Sequence, residues 1–150
     1  MKDKSARNVL IALLLFLGIS ATGGGFLLII SPSGKMLGGL PLSILEHSPF
    51  TDFLIPGIIL FLILGVFPCV VSRALLKKPV NRFAESLNLF KDMHWSWSFT
   101  IYSAFALIVW IQVETIFIQG VGWLQTFYML YAIPIIFVAL LPQVRMYFKK

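Results

Sequence analysis

Residues 53–76 read Phe53-Leu-Ile-Pro56-Gly57-Ile-Ile-Leu-Phe-Leu-Ile-Leu-Gly65-Val-Phe-Pro68-Cys69-Val-Val-Ser72-Arg73-Ala-Leu-Leu76. Twenty residues pass before the first charge, Arg73. A hydrocarbon core of ~30 Å takes about 20 helical residues to cross, so the stretch has the length and apolarity of one membrane span. It is too long for a core strand. Inside lipid, its backbone polar groups must be satisfied by the helix itself.

Three further stretches repeat the pattern, Val9–Ile30, Trp97–Ile118 and Leu124–Val144, and the fold class expected is an all-α, polytopic membrane protein forming one four-helix domain over residues 1–150. Composition agrees: of 150 residues 59% are hydrophobic and 12% charged, with mean hydropathy +0.92. A soluble domain carries about 25% charged residues, so soluble enzyme and nucleic-acid-binding readings are excluded first. The first span resembles a signal peptide in having Lys2, Lys4 and Arg7 before an apolar run and small residues at Ser20–Thr22. The run resumes at Phe26, however, so it is expected to stay as a helix.

Three connections follow: a loop over residues 31–52, a basic segment over 77–96, and a tight turn over 119–123 that makes the last two spans an antiparallel hairpin. Twelve Lys and Arg against six Asp and Glu give a formal net charge of +6. With the amino terminus inside, eleven of these cations fall on one side and only Lys35 on the other. By the positive-inside rule both termini are expected to be cytoplasmic and the protein to be a multi-pass component of the cell's inner (plasma) membrane. Trp95, Trp97 and Tyr147 then mark the inner boundary and Trp123 the outer one.

Glu114 is the single carboxylate inside a span, ~6 Å below the outer helix end at 1.5 Å per residue. An ionisable side chain in a span either hydrogen-bonds a Thr or Gln of a neighbouring helix, snorkels to the surface, or forms a ligand site. Ser20, Thr22, Glu46, His47, Asp52, Gln112, Thr115, Gln119, Gln125 and Thr126 fall at the same level. They suggest an outward-facing polar vestibule, with Glu114, Asp52, Glu46, His47, Gln112 and Thr115 as candidate ligand-binding residues. Gln112 and Thr115 share a helix face from which Glu114 is displaced by about 100–200°, which argues against one tight pocket.

Ser48-Pro49 reads as the N-cap and first residue of the second helix, with Asp52 near its positive end. Leu40, Leu42, Ile44 and Leu45 make the preceding loop too apolar for water, so it is expected in the outer interface or folded over the bundle. Gly23, Gly24 and Gly25 are expected to pack helix one closely against a neighbour, through spacings such as Ser20-x-x-x-Gly24 and Ala21-x-x-x-Gly25. Pro56, Pro68, Pro134 and Pro142 suggest kinks. From Pro79 onward, Val80, Phe83, Ala84, Leu87 and Phe90 recur at helical spacing with Arg82, Glu85, Asn88 and Lys91 turned away. This predicts a short cytoplasmic amphipathic helix on the inner leaflet, drawn to anionic lipid.

Catalytic and metal-binding patterns are missing from the sequence. Cys69 stands alone, His47 and His94 fall on opposite sides of the membrane, and there is no P-loop, GxSxG, HExxH or dinucleotide-binding glycine pattern. Neither a catalytic residue, a metal nor a cofactor is expected.

Five segments together carry a resemblance over nearly the whole chain: Pro49-Phe50-Thr51-Asp52-Phe53-Leu54-Ile55-Pro56-Gly57, Leu87-Asn88-Leu89-Phe90, His94-Trp95-Ser96-Trp97, Trp110-Ile111-Gln112-Val113-Glu114 and Leu140-Leu141-Pro142. The chain resembles a group of small four-span bacterial inner-membrane proteins with no established activity. The resemblance implies architecture and brings no substrate or cofactor. It departs from the small multidrug exporters, whose membrane Glu lies in the first helix. The function expected is that of a non-enzymatic membrane protein, an accessory or assembly subunit, with a small transporter or ligand-binding bundle centred on Glu114 as the alternative. Its partners would be the lipid bilayer, anionic lipid at the basic connection, and either further copies of itself or another membrane protein.

Overall fold

The computed structural model describes residues 2–35, 42–120 and 122–150. Four helices in it are long and apolar enough to cross a membrane: α1 (Lys2–Ile30), α2 (Leu54–Lys77), α4 (Trp95–Ile118) and α5 (Trp123–Leu140). Among the described residues two short α-helices accompany them, α3 (Arg82–Ser86) before α4 and α6 (Pro142–Phe148) after α5. Among the described residues there is no strand, only an isolated bridge between Met93 and Lys149. Residues 2–7, 78–94 and 145–150 gather at one end, the basic end; residues 31–35, 42–53, 119–120 and 122 form the far end.

Helices α1 and α2 approach until their backbones touch. A methyl group built on Gly25 would lie 2.6 Å from the Phe61 nitrogen and 2.8 Å from the Gly57 oxygen, and one on Gly65 would lie 2.9 Å from the Thr22 Cα. Only hydrogen fits at such distances. Gly18 makes a similar approach to Gly65 and Cys69, so residues 18, 22 and 25 form one helix face against 57, 61 and 65. The expectation for the glycine run is therefore corrected. Gly25 carries the contact, whereas a Cβ on Gly23 would meet nothing within 4 Å and one on Gly24 only the Leu60 side chain at 3.7 Å. Consecutive helical residues point 100° apart, so three adjacent glycines cannot share one seam.

The middle of α2, Leu60–Val66, is wound as a π-helix, with the Phe67 N–H bonded to the Leu62 carbonyl. Pro68 lies just beyond it. Proline has no N–H for the carbonyl four residues earlier and its ring crowds that carbonyl, and a wider turn relieves both. The remaining prolines act differently from one another. Pro56 is in the first turn of α2, where a missing N–H leaves no intrahelical bond unmade, and α5 runs through Pro134. Pro142 ends the last span: Leu141 takes ψ 135, the extended geometry proline imposes on its predecessor, so the helix stops at Leu140 instead of reaching Val144.

The start of α2 also differs from expectation. Ser48 Oγ donates to the Leu45 carbonyl at 2.8 Å and accepts from the Phe50 N–H at 3.2 Å, closing a turn well before the helix. Asp52 Oδ1 instead takes the Leu54 N–H at 3.0 Å, at the positive helix end. Of the apolar loop, residues 36–41 lie outside those described. Leu45 is buried against Leu28 and Phe53.

One core threads the bundle. Leu10, Leu14, Leu17 and Ala21 of α1 meet Leu64, Val71 and Leu75 of α2, Trp97, Ile101, Ala104 and Leu107 of α4, and Ala132, Ile135 and Ala139 of α5. Three hydrogen bonds tie helices across it. Tyr131 OH donates to the Leu13 carbonyl at 2.7 Å, Tyr128 OH to Ser20 Oγ at 3.1 Å, and Trp97 Nε1 to the Ala139 carbonyl at 2.8 Å. The last satisfies a carbonyl left without its intrahelical donor by the break at Leu141. Large apolar side chains such as Phe16, Ile19, Phe26, Leu62, Val109, Leu130 and Phe137 are exposed along the four long helices, as a lipid-facing surface requires.

Candidate functional site

Toward the far end, the α1–α2 pair and the α4–α5 hairpin part around a cavity of about 760 Å³. Its walls come from all four long helices: Leu17, Ser20, Ala21, Gly24 and Leu28 of α1, Pro56 to Leu64 of α2, Leu107 to Phe117 of α4, and Leu124 to Tyr128 of α5. From Leu28 to Leu17 it reaches ~16 Å along α1, at 1.5 Å per residue. The lining is mainly apolar. This size and lining match those of pockets that enclose small apolar molecules.

Four polar side chains interrupt that lining in two pairs. Gln125 Oε1 accepts the Gly122 N–H at 2.9 Å, so its Nε2 is turned to donate to Glu114 Oε1 at 3.3 Å. Gly122 is the N-cap of α5 and has no side chain to cap with, and its own N–H is taken by Gln125. Glu114 is half-buried, and its second oxygen takes no hydrogen bond from a described residue. The other pair is Tyr128 with Ser20, whose own hydroxyl donates to the Leu17 carbonyl at 3.0 Å. Trp110 also lines the cavity.

Searches of protein-family models, curated proteins and solved structures found no match. Function must therefore be argued from the geometry of this site.

Of the six candidate ligand-binding residues, Glu114 alone lines the cavity. Asp52 caps α2, and Glu46 and His47 are exposed in the turn after the short 3-10 helix at Leu42–Leu45. Gln112 is exposed, and Thr115 Oγ1 donates to the Ile111 carbonyl of its own helix at 2.8 Å. The correction follows from helix geometry. Residues 107, 110, 111, 113, 114 and 117 form the cavity face of α4, and 112 and 115 fall outside it. In place of a polar vestibule there is an apolar pocket with a few placed polar groups. Ser20 and Gln125 were among the polar residues at this level, but Tyr128 was not. Its signal was its position three residues after Gln125, on the same face of α5.

Among the described residues, no three His, Cys, Asp or Glu side chains group as metal ligands would. A single acceptor in an apolar pocket can orient a hydrogen-bond donor or a cation. The pocket's remaining surface is suited to hydrocarbon.

Proposed function

We propose that this chain is a non-enzymatic integral protein of the inner (plasma) membrane that binds an amphiphilic molecule, with a donating or cationic head at Glu114 and an apolar body along Leu17, Leu64 and Leu107. The observation that carries this reading is the coincidence of the one carboxylate of the spans with a cavity built by all four helices. An ionisable group is costly in a span and is kept out of contact with lipid unless something pairs with it. Here Gln125 supplies one neutral hydrogen bond and leaves an acceptor for a guest.

The charge distribution supports both termini being cytoplasmic, which places the cavity in the outer half of the membrane. The accessory-subunit reading has no comparable site behind it, because apolar residues exposed on long helices are what lipid alone demands.

The test uses the purified full chain in lipid nanodiscs, titrated with an n-alkylamine and with the alkanol of equal chain length while thermal unfolding is followed. The amine should raise the unfolding midpoint more than the alkanol, and Glu114→Gln should abolish the difference. Equal shifts in the parent would refute the assignment of the head group. No shift with either ligand would refute binding in the cavity.

A further inference from the structure

The segment between α2 and α4 is folded against the side of the bundle, and its apolar side chains face outward. α2 ends at Lys78, with φ 48 and its N–H on the Ala74 carbonyl at 2.7 Å. The helix that follows is only Arg82–Ser86, capped by Asn81 Oδ1 on the Ala84 N–H at 3.1 Å. It does not continue to Lys91 as the apolar spacing suggests, because Asn88 turns inward. The Asn88 amide donates to the Met93 carbonyl at 2.8 Å and to Glu85 Oε2 at 3.2 Å, and it accepts from the Phe90 N–H at 2.9 Å and from Ser98 Oγ. All four of its hydrogen-bonding positions are used, which fixes the chain's exit from the helix.

Tyr102 sets the depth of this segment. Its hydroxyl donates to the Leu87 carbonyl and accepts the Leu89 N–H, both at 2.9 Å. Tyr102 is ~10 Å along α4 from Trp95, at 1.5 Å per residue. Leu87 and Leu89 therefore lie against the side of α4, bonded to a side chain that starts from its second turn.

Ala84 faces inward, buried with Ala74 and Trp95, while Val80 is 94% exposed, Phe83 74%, Leu87 51% and Leu89 79%. The apolar surface next to Tyr102 continues along α4 through exposed Phe105, Val109 and Ile116. Around it stand the exposed cations Arg73, Lys77, Arg82 and Lys91. Glu85 is neutralised by Lys150 at 2.6 Å, which leaves Asp92 as the one unpaired acid of the segment.

We propose that residues 79–91 form an interfacial anchor that seats Phe83, Leu87 and Leu89 among the acyl chains of one leaflet and gathers anionic phospholipid through Lys77, Arg82 and Lys91. The apolar residues are continuous with a lipid-facing stripe and the surrounding charge is positive, a combination that suits an anionic leaflet. The anchor rests on the chain crossing a membrane and is independent of the cavity at the other end.

A nitroxide at Leu89→Cys, in a Cys69→Ala background, reports depth in nanodiscs of phosphatidylcholine with or without phosphatidylglycerol. Native mass spectrometry of the unlabelled parent counts retained lipids. The label should be more accessible to oxygen than to a water-soluble nickel chelate, and phosphatidylglycerol should be retained over phosphatidylcholine. Changing Lys77, Arg82 and Lys91 to Gln should lower phosphatidylglycerol affinity about five-fold per cation removed, while the label stays oxygen-accessible.

A nickel-accessible label would place the segment in water and overturn the proposal. An oxygen-accessible label without headgroup preference, or with a preference unmoved by the triple substitution, would overturn the anionic-lipid assignment. Spin–spin broadening at Leu89→Cys would assign the surface to a second copy of the chain instead.

Discussion

A methyl group at Gly25 and one at Gly23 should have opposite effects on stability, although the two positions are two residues apart in one helix. Each substitution by alanine removes the entropic penalty of a helical glycine, about 0.5–1 kcal/mol in favour of the folded state. At Gly23 nothing lies within 4 Å of the new carbon, so that gain should stand alone. At Gly25 the carbon would come to 2.6 Å from the Phe61 nitrogen and 2.8 Å from the Phe61 Cα, about an ångström inside the 3.5–4.0 Å optimum for non-bonded heavy atoms. Those neighbours are backbone, so no rotamer change relieves the clash and α1 must move away from α2. Overpacking of this kind costs about 1–3 kcal/mol. Helix propensity cancels between the two variants, so their difference in unfolding free energy should be that steric cost. Reversible unfolding in mixed micelles, titrated with a denaturing detergent, measures it. A Gly25→Ala protein as stable as Gly23→Ala would refute the packing described for this helix pair.

Other positions yield independent outcomes. Gly24→Leu puts a side chain into the cavity without a backbone clash, so it should preserve or raise the unfolding midpoint while abolishing the amine-dependent shift in the nanodisc titration. Asn88→Ala strands the Phe90 N–H and the Met93 carbonyl and should cost about 1–3 kcal/mol, with loss of hydrogen-exchange protection at Phe90. His94 should make the basic end acid-sensitive. Its Nδ1 accepts from the Ser96 N–H at 3.2 Å while Nε2 faces the Pro79 carbonyl, so a proton on Nδ1 would remove the cap of α4. Burial lowers the His94 pKa from 6.5, with Lys78 and Lys150 acting the same way and the Pro79 carbonyl and Glu85 opposing. A depressed folded-state value means that its stabilising contribution is present above 6.5 and is lost as pH falls through the folded pKa. Protection at Ser96, corrected for intrinsic exchange, should fall in that direction; a pH-independent value would refute the capping role.

Glu85 sits beside His94 and acts in the same direction. Burial pushes its carboxyl up, but hydrogen bonds from Lys150 and Asn88, the charge of Lys150 and the Trp95 N–H outweigh this and hold it below 4.5. Its contribution to holding the carboxyl-terminal residues is therefore lost only at stronger acid. Lys150 N–H to the Asp92 carbonyl and His94 N–H to the Phe148 carbonyl complete that attachment. The connection expected from the sequence to hold an amphipathic helix is thus also hydrogen-bonded to the carboxyl-terminal residues.

The features that were legible in the sequence share a physical origin. Twenty uncharged residues at 53–72 admit no other solution in lipid than a helix, and the other three spans follow by the same requirement. Glu114 stood out for a comparable reason, since an ionisable group among apolar neighbours has few places to go. Features that depend on which face meets which neighbour were not legible. Three adjacent glycines look equivalent until α2 selects Gly25, and Asn88 reads as a surface residue until Ser98 and the Met93 carbonyl supply its partners. The wider winding at 60–66 sits just before Pro68 and holds Gly65 against the backbone of α1, and no local pattern encodes that contact.

The same asymmetry explains why the cavity is where it is. Gly18, Gly25, Gly57 and Gly65 hold α1 against α2 along most of their length, including the far end. Among the described residues the side-chain hydrogen bonds from α5 to α1 are those of Tyr131 to Leu13 and Tyr128 to Ser20, and none lies beyond Ser20 toward the far end. Beyond Ser20, α1 lines the cavity with Ala21, Gly24 and Leu28, while α4 brings Trp110, Glu114 and Phe117. The opening between the two helix pairs lies beside the close contact within the first, and Glu114 lines it from α4.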